Sequence, residues 1–176
     1  SISKYKDHNT LLNAWAKVSD ELNKKRTTAV LILAGKDKGL LDNLKIIAFD
    51  LRIAQTVYFL GSIDNTNELI TESEIIVHSS NTEGCPNAVL EAMALKKAVI
   101  GTNISGNLQA LGEKYADLCL SIPNDPDDLA NKIKSLLTDR KLNQEIGEYN
   151  LNRIKNEFSI EKMINGYLNL METPIN

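Results

Sequence analysis

The sequence predicts a doubly wound α/β domain, a parallel sheet with helices on both faces. Short apolar runs alternate with stretches of helical periodicity along most of the chain, the pattern of successive βαβ units. Several of those runs are continuously apolar, which is how strands buried on both faces read. The length agrees: 176 residues suit one domain with its own core and are short for two.

Taken in order, Leu11, Trp15, Val18 and Leu22 fall at the 4-3-4 spacing of an amphipathic helix, with Asn9 or Thr10 as its expected N-cap. Ala29–Ala34 (AVLILA) is a six-residue apolar run closed by Gly35 and predicts a buried strand. Leu41, Leu44, Ile47, Ala48 and Leu51 make a second helical stripe, and Val57–Leu60 before Gly61 a second strand. A short helix around Asn67–Thr71 leads to a third strand, Glu74–His78. Pro86–Leu95 reads as helix, Ala98–Gly101 as a short strand and Leu118–Leu120 as the last one. Asp125-Pro126-Asp127-Asp128 is a helix start, with an Asp cap, Pro at the first position and carboxylates in the first turn. Two or three helices rich in Lys, Glu and Asn then run to about Leu170. No internal repeat or low-complexity linker divides the chain, so residues 1–176 are expected to form a single domain.

Composition narrows the function. Twenty Lys and Arg against twenty-three Asp and Glu give a formal charge of −3, which argues against a broad nucleic-acid or anionic-lipid surface. Two cysteines, Cys85 and Cys119, are too few for a disulfide framework and point to reduced thiols in a cytosolic setting. The opening SISKYKDHNT has no apolar h-region of a signal peptide. Because it starts with Ser, the sequence is expected to be a piece of a longer polypeptide. No G-x-G-x-x-G follows a strand, and Gly35–Gly39 (GKDKG) lacks the G-x-x-x-x-G-K-[ST] of a phosphate loop. Cys85, Cys119, His8 and His78 are too scattered for a metal spacing. His78 beside Ser79 and Ser80 lies outside any G-x-S-x-G elbow and reads as a packed or hydrogen-bonded residue.

Open parallel sheets bind ligands beyond the C-terminal ends of their strands, so the informative loops follow Ala34, Leu60, His78 and Gly101. Glycine near three of these ends fits either a simple turn or close approach of backbone to a ligand. The loop after His78 is the richest. His78–Leu95 (HSSNTEGCPNAVLEAMAL) passes from a strand through a polar loop to a helix starting near Pro86, whose free N–H groups would face the ligand side. Glu83 and Glu91 flank that start. Eight residues at about 1.5 Å and ~100° each put them on the order of 12 Å and ~80° apart, too far for a glycosidase pair, which needs roughly 5–9.5 Å. Two hydrogen-bonding stations on one elongated ligand fit this spacing. So does a Glu83 that merely caps the helix with Glu91 at the surface.

The stretch EGCPNAVLEAMALKKAVIGTNISG resembles the signature of the retaining group 1 (family 4) glycosyltransferases, whose common pattern is E-G-F-P-N-x-x-L-E-A-M-A followed by a small-residue strand and a Gly-rich turn. The match covers Glu83, Gly84, Pro86, Asn87, Leu90, Glu91, Ala92, Met93 and Ala94, with Cys85 in place of the aromatic. LILAGKDKG, VYFLGSI, SEIIVHSS and the tail FSIEKMINGYL resemble the family's flanking elements. The resemblance implies the C-terminal, Rossmann-like, donor-binding half of a GT-B enzyme, its N-terminal acceptor domain lying outside these residues. It implies transfer of a hexose from a UDP- or GDP-type sugar to a glycan or glycolipid, as in polysaccharide biosynthesis, without a metal cofactor. Glu83 takes the catalytic position, on the donor sugar's hydroxyls, and Glu91 bonds the ribose. Backbone N–H groups at Asn87, Ala88 and Val89, beside Gly84, hold the diphosphate, Leu60, Gly61 and Ser62 meet the base, and Gly35 and Lys6 complete the donor site.

The same resemblance implies a cytoplasmic protein at the inner membrane face, with peripheral contact through the absent domain and no nucleic-acid partner. The isolated chain is then expected to bind nucleotide weakly and transfer little or nothing. A GT-B-like module that binds nucleotide without catalysis, a nucleotide-sugar epimerase and a phosphorylase are the alternatives. Three departures stand out. Ser1 occupies the position of an Arg that the family pairs with the Lys at Lys6, the strand normally preceding this point is missing, and Asn107 and Gln109 stand where the family often has Gly and Glu.

Overall fold

A computed structural model describes residues 1–162, 164 and 168. Of the tail helix expected over 158–168, residues 160–162 are helical and residues 163 and 165–167 lie outside the described residues. After a 3₁₀ turn at Lys4–Lys6, the elements are α1 (His8–Lys24), β1 (Leu31–Ala34), α2 (Leu41–Asp50), β2 (Val57–Gly61), α3 (Thr66–Glu72), β3 (Ile76–His78) and α4 (Asn87–Ala94). They continue with β4 (Val99–Thr102), α5 (Ser105–Leu111), α6 (Ala116–Cys119), β5 (Leu120–Ser121), α7 (Pro126–Thr138) and α8 (Arg140–Glu157). All strand pairs are parallel, β1 with β2 and β3–β4–β5 in a second group. The alternation of strand and helix is the doubly wound α/β plan expected.

Much of the core is drawn from apolar positions that the periodicity marks, although Leu41, Ile47 and Leu51 of the second stripe are only partly buried. Leu11, Trp15, Val18 and Leu22 of α1 are buried, and so are Leu44 and Ala48 of α2. Leu129, Ala130, Ile133 and Leu136 of α7 complete one side, with Val99 and Ile100 of β4 fully enclosed. At the start of α7, Asp125 Oδ1 accepts from the N–H groups of Asp127 (2.9 Å) and Asp128 (3.0 Å), with Pro126 at the first helical position. That is the cap the sequence announces, and such a cap is worth about 1 kcal/mol.

Three expectations are corrected. The cap of α1 is Asp7, in the left-handed conformation at φ 45°, whose carboxylate accepts from Thr10 N–H at 3.2 Å. A short polar side chain tolerates that conformation, so the helix begins ahead of Asn9 and Thr10. Leu118 and Cys119 belong to the helical turn α6, and only Leu120–Ser121 pair as a strand. A three-residue apolar run carries no periodicity, so helix and strand are indistinguishable there. Finally, β1 is not buried on both faces: Ile32 is 37% exposed and, just before the strand, Val30 is 47% exposed.

The reason is a cleft of about 550 Å³ between β1 and β3, lined by Val30, Ile32, Ile75, Val77, Trp15 and Ile133 among others. Among the described residues β1 bonds only β2 and β3 only β4, so two strand edges face each other across apolar walls. At the C-terminal end of β1, Ile2 forms a parallel bridge to Asp37, donating N–H to Lys36 O (2.9 Å) and accepting from Lys38 N–H (3.0 Å).

Candidate functional site

Residues far apart in sequence meet beyond the C-terminal ends of the strands. The turn that carries Lys6 is tied to the loop after β3 twice: Asn81 N–H donates to Tyr5 O (2.8 Å) and Ser79 Oγ donates to Lys6 O (2.8 Å). These ties bring Lys6 against Glu83, and the Lys6 ammonium donates to Glu83 Oε1 in an ion pair. Lys6 Nζ is also 3.3 Å from His78 Nε2. Ser80 Oγ donates to Glu83 Oε1 at 3.2 Å and is 3.3 Å from His78 Nε2. Both charged side chains are mostly enclosed, with 21% and 16% of their surface exposed. Beside them opens a crevice of about 600 Å³ lined by Tyr5, Asn81, Thr82, Glu83, Gly84, Ile104 and Ser105.

Burial disfavours the Glu83 carboxylate, but the hydrogen bond and charge of Lys6, with smaller help from His78 and Ser80, outweigh it and hold its pKa below the usual value. His78 is shifted down, first by burial and then by the Lys6 charge, so the ring is neutral at pH 7. His8, the first residue of α1, is pushed down to about 4 by burial, reinforced by the N-terminal amino group and Lys6. A depressed histidine makes stability depend on pH with a definite sign. Above pH 6.5 neither state binds the proton; between 6.5 and about 4 the unfolded chain takes it up and the folded chain refuses it, so stability falls as pH falls. Expected is a loss on the order of 2–3 kcal/mol by pH 4. Thermal unfolding across this range checks it, and the His8→Gln variant should lose much less.

The other expected site residues lie on the same side of the sheet but are not gathered into one contact cluster. Gly35 ends β1 at φ +143° and donates to Gly61 O at 2.7 Å. A Cβ there would lie 2.7 Å from Ser1 N, so close backbone approach explains this glycine. Gly61, at φ +68°, closes β2 beside the exposed Leu60 and Ser62. Gly84, Asn87, Ala88 and Glu91 are exposed around the start of α4, whereas the Val89 side chain is fully buried.

Of the three amides expected to hold a diphosphate, Asn87 N–H already donates to Cys85 O (3.0 Å) and Val89 N–H to Pro86 O (2.8 Å). Ala88 N–H has no acceptor among the described residues. Glu83 does not cap α4, which has no side-chain cap at all; its carboxylate faces Lys6. Tyr5, Ile104 and Ser105 were not singled out from the sequence. The position of Tyr5 beside Lys6, and of Ile104 and Ser105 in the turn after β4, are the signals that could have found them.

Residues 1–153 match the family described as "Glycosyl transferases group 1". The chain belongs to the group 1 glycosyltransferases. It is 27% identical over 157 residues to the N-acetyl-alpha-D-glucosaminyl L-malate synthase of Bacillus anthracis, covering 89% of this chain and 39% of that protein. The C-terminal domain of a group 1 glycosyl transferase (LpcC) from Francisella tularensis superposes with a TM-score of 0.75 at 24% identity, over 90% of this chain and 83% of that one. Anabaena Alr3699/HepE, solved with UDP, gives a TM-score of 0.84 at 21% identity, over 97% and 46% of the two chains. The fold of this transferase domain is therefore that of GT-B enzymes. The chain spans less than half the length of the curated relatives it matches.

Proposed function

We propose that this glycosyltransferase chain is the donor-binding half of a retaining enzyme that moves a hexose from a UDP- or GDP-type sugar to a glycan or glycolipid. The observation that carries the reading is the Lys6–Glu83 ion pair at the strand ends, beside an open polar crevice. A donor of this class presents an anionic diphosphate and a sugar rich in hydroxyls. Lys6 supplies the positive charge for the first, and Glu83 the acceptor for the second. As the bond from the anomeric carbon to the diphosphate breaks, negative charge grows on the leaving oxygen, and an ammonium already in position stabilises that charge most. Ala88 N–H, at the start of α4, adds a donor with the favourable end of a helix behind it. Glu91, exposed on α4, is assigned to the ribose and Leu60–Ser62 to the base. The diphosphate is neutralised by Lys6 and amides, with no metal ion in the reading.

An N-terminal domain of the same polypeptide is assigned the acceptor, and peripheral contact with the inner membrane face goes with it. Among the described residues no helix is long and apolar enough to cross a membrane. The UDP bound to the Anabaena protein favours UDP as the first nucleotide to try. Calorimetric titration of the chain with UDP, GDP and ADP is expected to show one of them binding, about tenfold weaker after Glu91→Ala through loss of a charged hydrogen bond. Binding indifferent to both Glu91→Ala and Lys6→Ala, or no binding by the whole protein, would overturn the reading. Sugar transfer by the isolated chain would overturn its assignment as a half-site.

A further inference from the structure

In the β3–β4 register His78 lies opposite Gly101. The missing side chain at Gly101 leaves a slot, and the Asn107 amide fills it: a Cβ on Gly101 would sit 3.0 Å from Asn107 Cγ and Nδ2. Asn107 is fully buried, and its Nδ2 donates to Thr102 O at 2.9 Å. That bond orients the amide, because only the nitrogen end can donate to a carbonyl. Its other end, Oδ1, has no conventional partner among the described residues, and neither does His78 Nδ1. Burial and the Lys6 charge pull the His78 pKa down, and Asn107 opposes them. Two buried orphans, one an acceptor and one able to carry a proton, are complementary when the ring proton is on Nδ1.

The other face of the ring then follows. Nε2 is left with a lone pair. Of its two neighbours, Ser80 has a single hydroxyl proton and a better acceptor in Glu83 Oε1 at 3.2 Å, so the lone pair faces the Lys6 ammonium at 3.3 Å. With the proton on Nε2 instead, an N–H would point at the ammonium, and Lys6 would lose one of its two side-chain acceptors.

We propose that Asn107 is a positioning residue of the donor site: acting through His78, it fixes the Nδ1–H tautomer, so that Nε2 holds Lys6 beside Glu83. This rests on the donor-site reading above, and it gives a task to Asn107, whose position the family resemblance marks as a departure. The charged and titratable groups that bear on the ring are Lys6 and Glu83 directly and His8 at longer range.

The test begins with long-range ¹H–¹⁵N correlation spectra of the histidine rings in the labelled chain, a readout that needs no donor. His78 is expected to carry its proton on Nδ1, and to move toward the Nε2–H form in Asn107→Leu or, should that variant not fold, in Asn107→Ser. A wild-type ring protonated at Nε2 overturns the proposal whatever the nucleotide data show. The second measurement is nucleotide affinity. Asn107→Leu should weaken binding about five- to tenfold, the loss of one charge-assisted hydrogen bond. His78→Gln removes the ring through which Asn107 acts and supplies the background for the second comparison. Adding Asn107→Leu to the His78→Gln background should cost nothing more. Equal losses in the two backgrounds would overturn the proposal, because Asn107 would then act without the ring. Failure of every nucleotide to bind would strike at the donor-site reading while leaving the tautomer result intact.

Discussion

Replacing Glu83 by Gln in the whole protein is expected to lower the rate of sugar transfer about 10²–10³-fold, the range seen when one oriented polar contact to a developing charge is removed. The substitution keeps shape and removes charge. Lys6 loses its counter-ion and Ser80 its anionic acceptor, and the donor's hydroxyls lose a carboxylate that accepts more strongly than an amide. Stability should hardly change. The Glu83–Lys6 pair is mostly enclosed, but Gln keeps an oxygen that accepts from Lys6 and Ser80, so the loss stays near that of one hydrogen bond, about 1 kcal/mol. Rates under saturating donor, compared with a thermal unfolding midpoint, separate the two effects. A variant that folds normally and transfers at the wild-type rate would remove Glu83 from the mechanism. One that loses transfer together with several degrees of stability would make its role structural.

How much of this was readable in advance depends on the range of the interaction. The cap of α7 is local, four residues announcing Asp125 and Pro126, and the structure reproduces it. The stripe Leu11, Trp15, Val18 and Leu22 is equally local and is buried as its spacing requires. The meeting of Lys6 with Glu83 spans 77 residues and has no periodic trace. The family resemblance assigns both residues to the donor site, but that they bond each other follows from the two ties to the Tyr5 and Lys6 carbonyls, one from Asn81 N–H and one from the Ser79 hydroxyl. His78 illustrates the limit. Its sequence reading as a packed, hydrogen-bonded residue agrees with its burial, yet its partners come from three separate segments. Asn107 reads as an anomaly in sequence because its slot exists only once β3 and β4 are paired with Gly101 opposite His78. The short turns α5 and α6 escaped for local reasons: α6 has four residues, too few for a helical period to register, and α5 opens on Ser105-Gly106-Asn107, poor helix formers.

Gly106→Ala is expected to damage both stability and transfer, and its double effect tests whether the Glu83 loop is held from behind. Gly106 is buried at the start of α5, and a Cβ there would lie 2.5 Å from Glu83 O and 2.9 Å from Gly84 O. Both atoms are backbone, so no rotamer change relieves the clash; the Glu83–Gly84 peptide or the first turn of α5 has to shift. Forcing one methyl into packed backbone costs about 1–3 kcal/mol, which for a chain of this length lowers the unfolding midpoint by roughly 2–10 °C. A shift of the Glu83 peptide carries its carboxylate away from Lys6, and misplacement of a reacting group by about 1 Å costs on the order of 10²-fold in rate. The two losses come from one displacement, so they should persist together at temperatures well below unfolding. Should Gly106→Ala fold with a lowered midpoint but transfer normally at 10 °C, the clash must be relieved through α5, and the position of Glu83 would then be set by Lys6 and Ser80 alone.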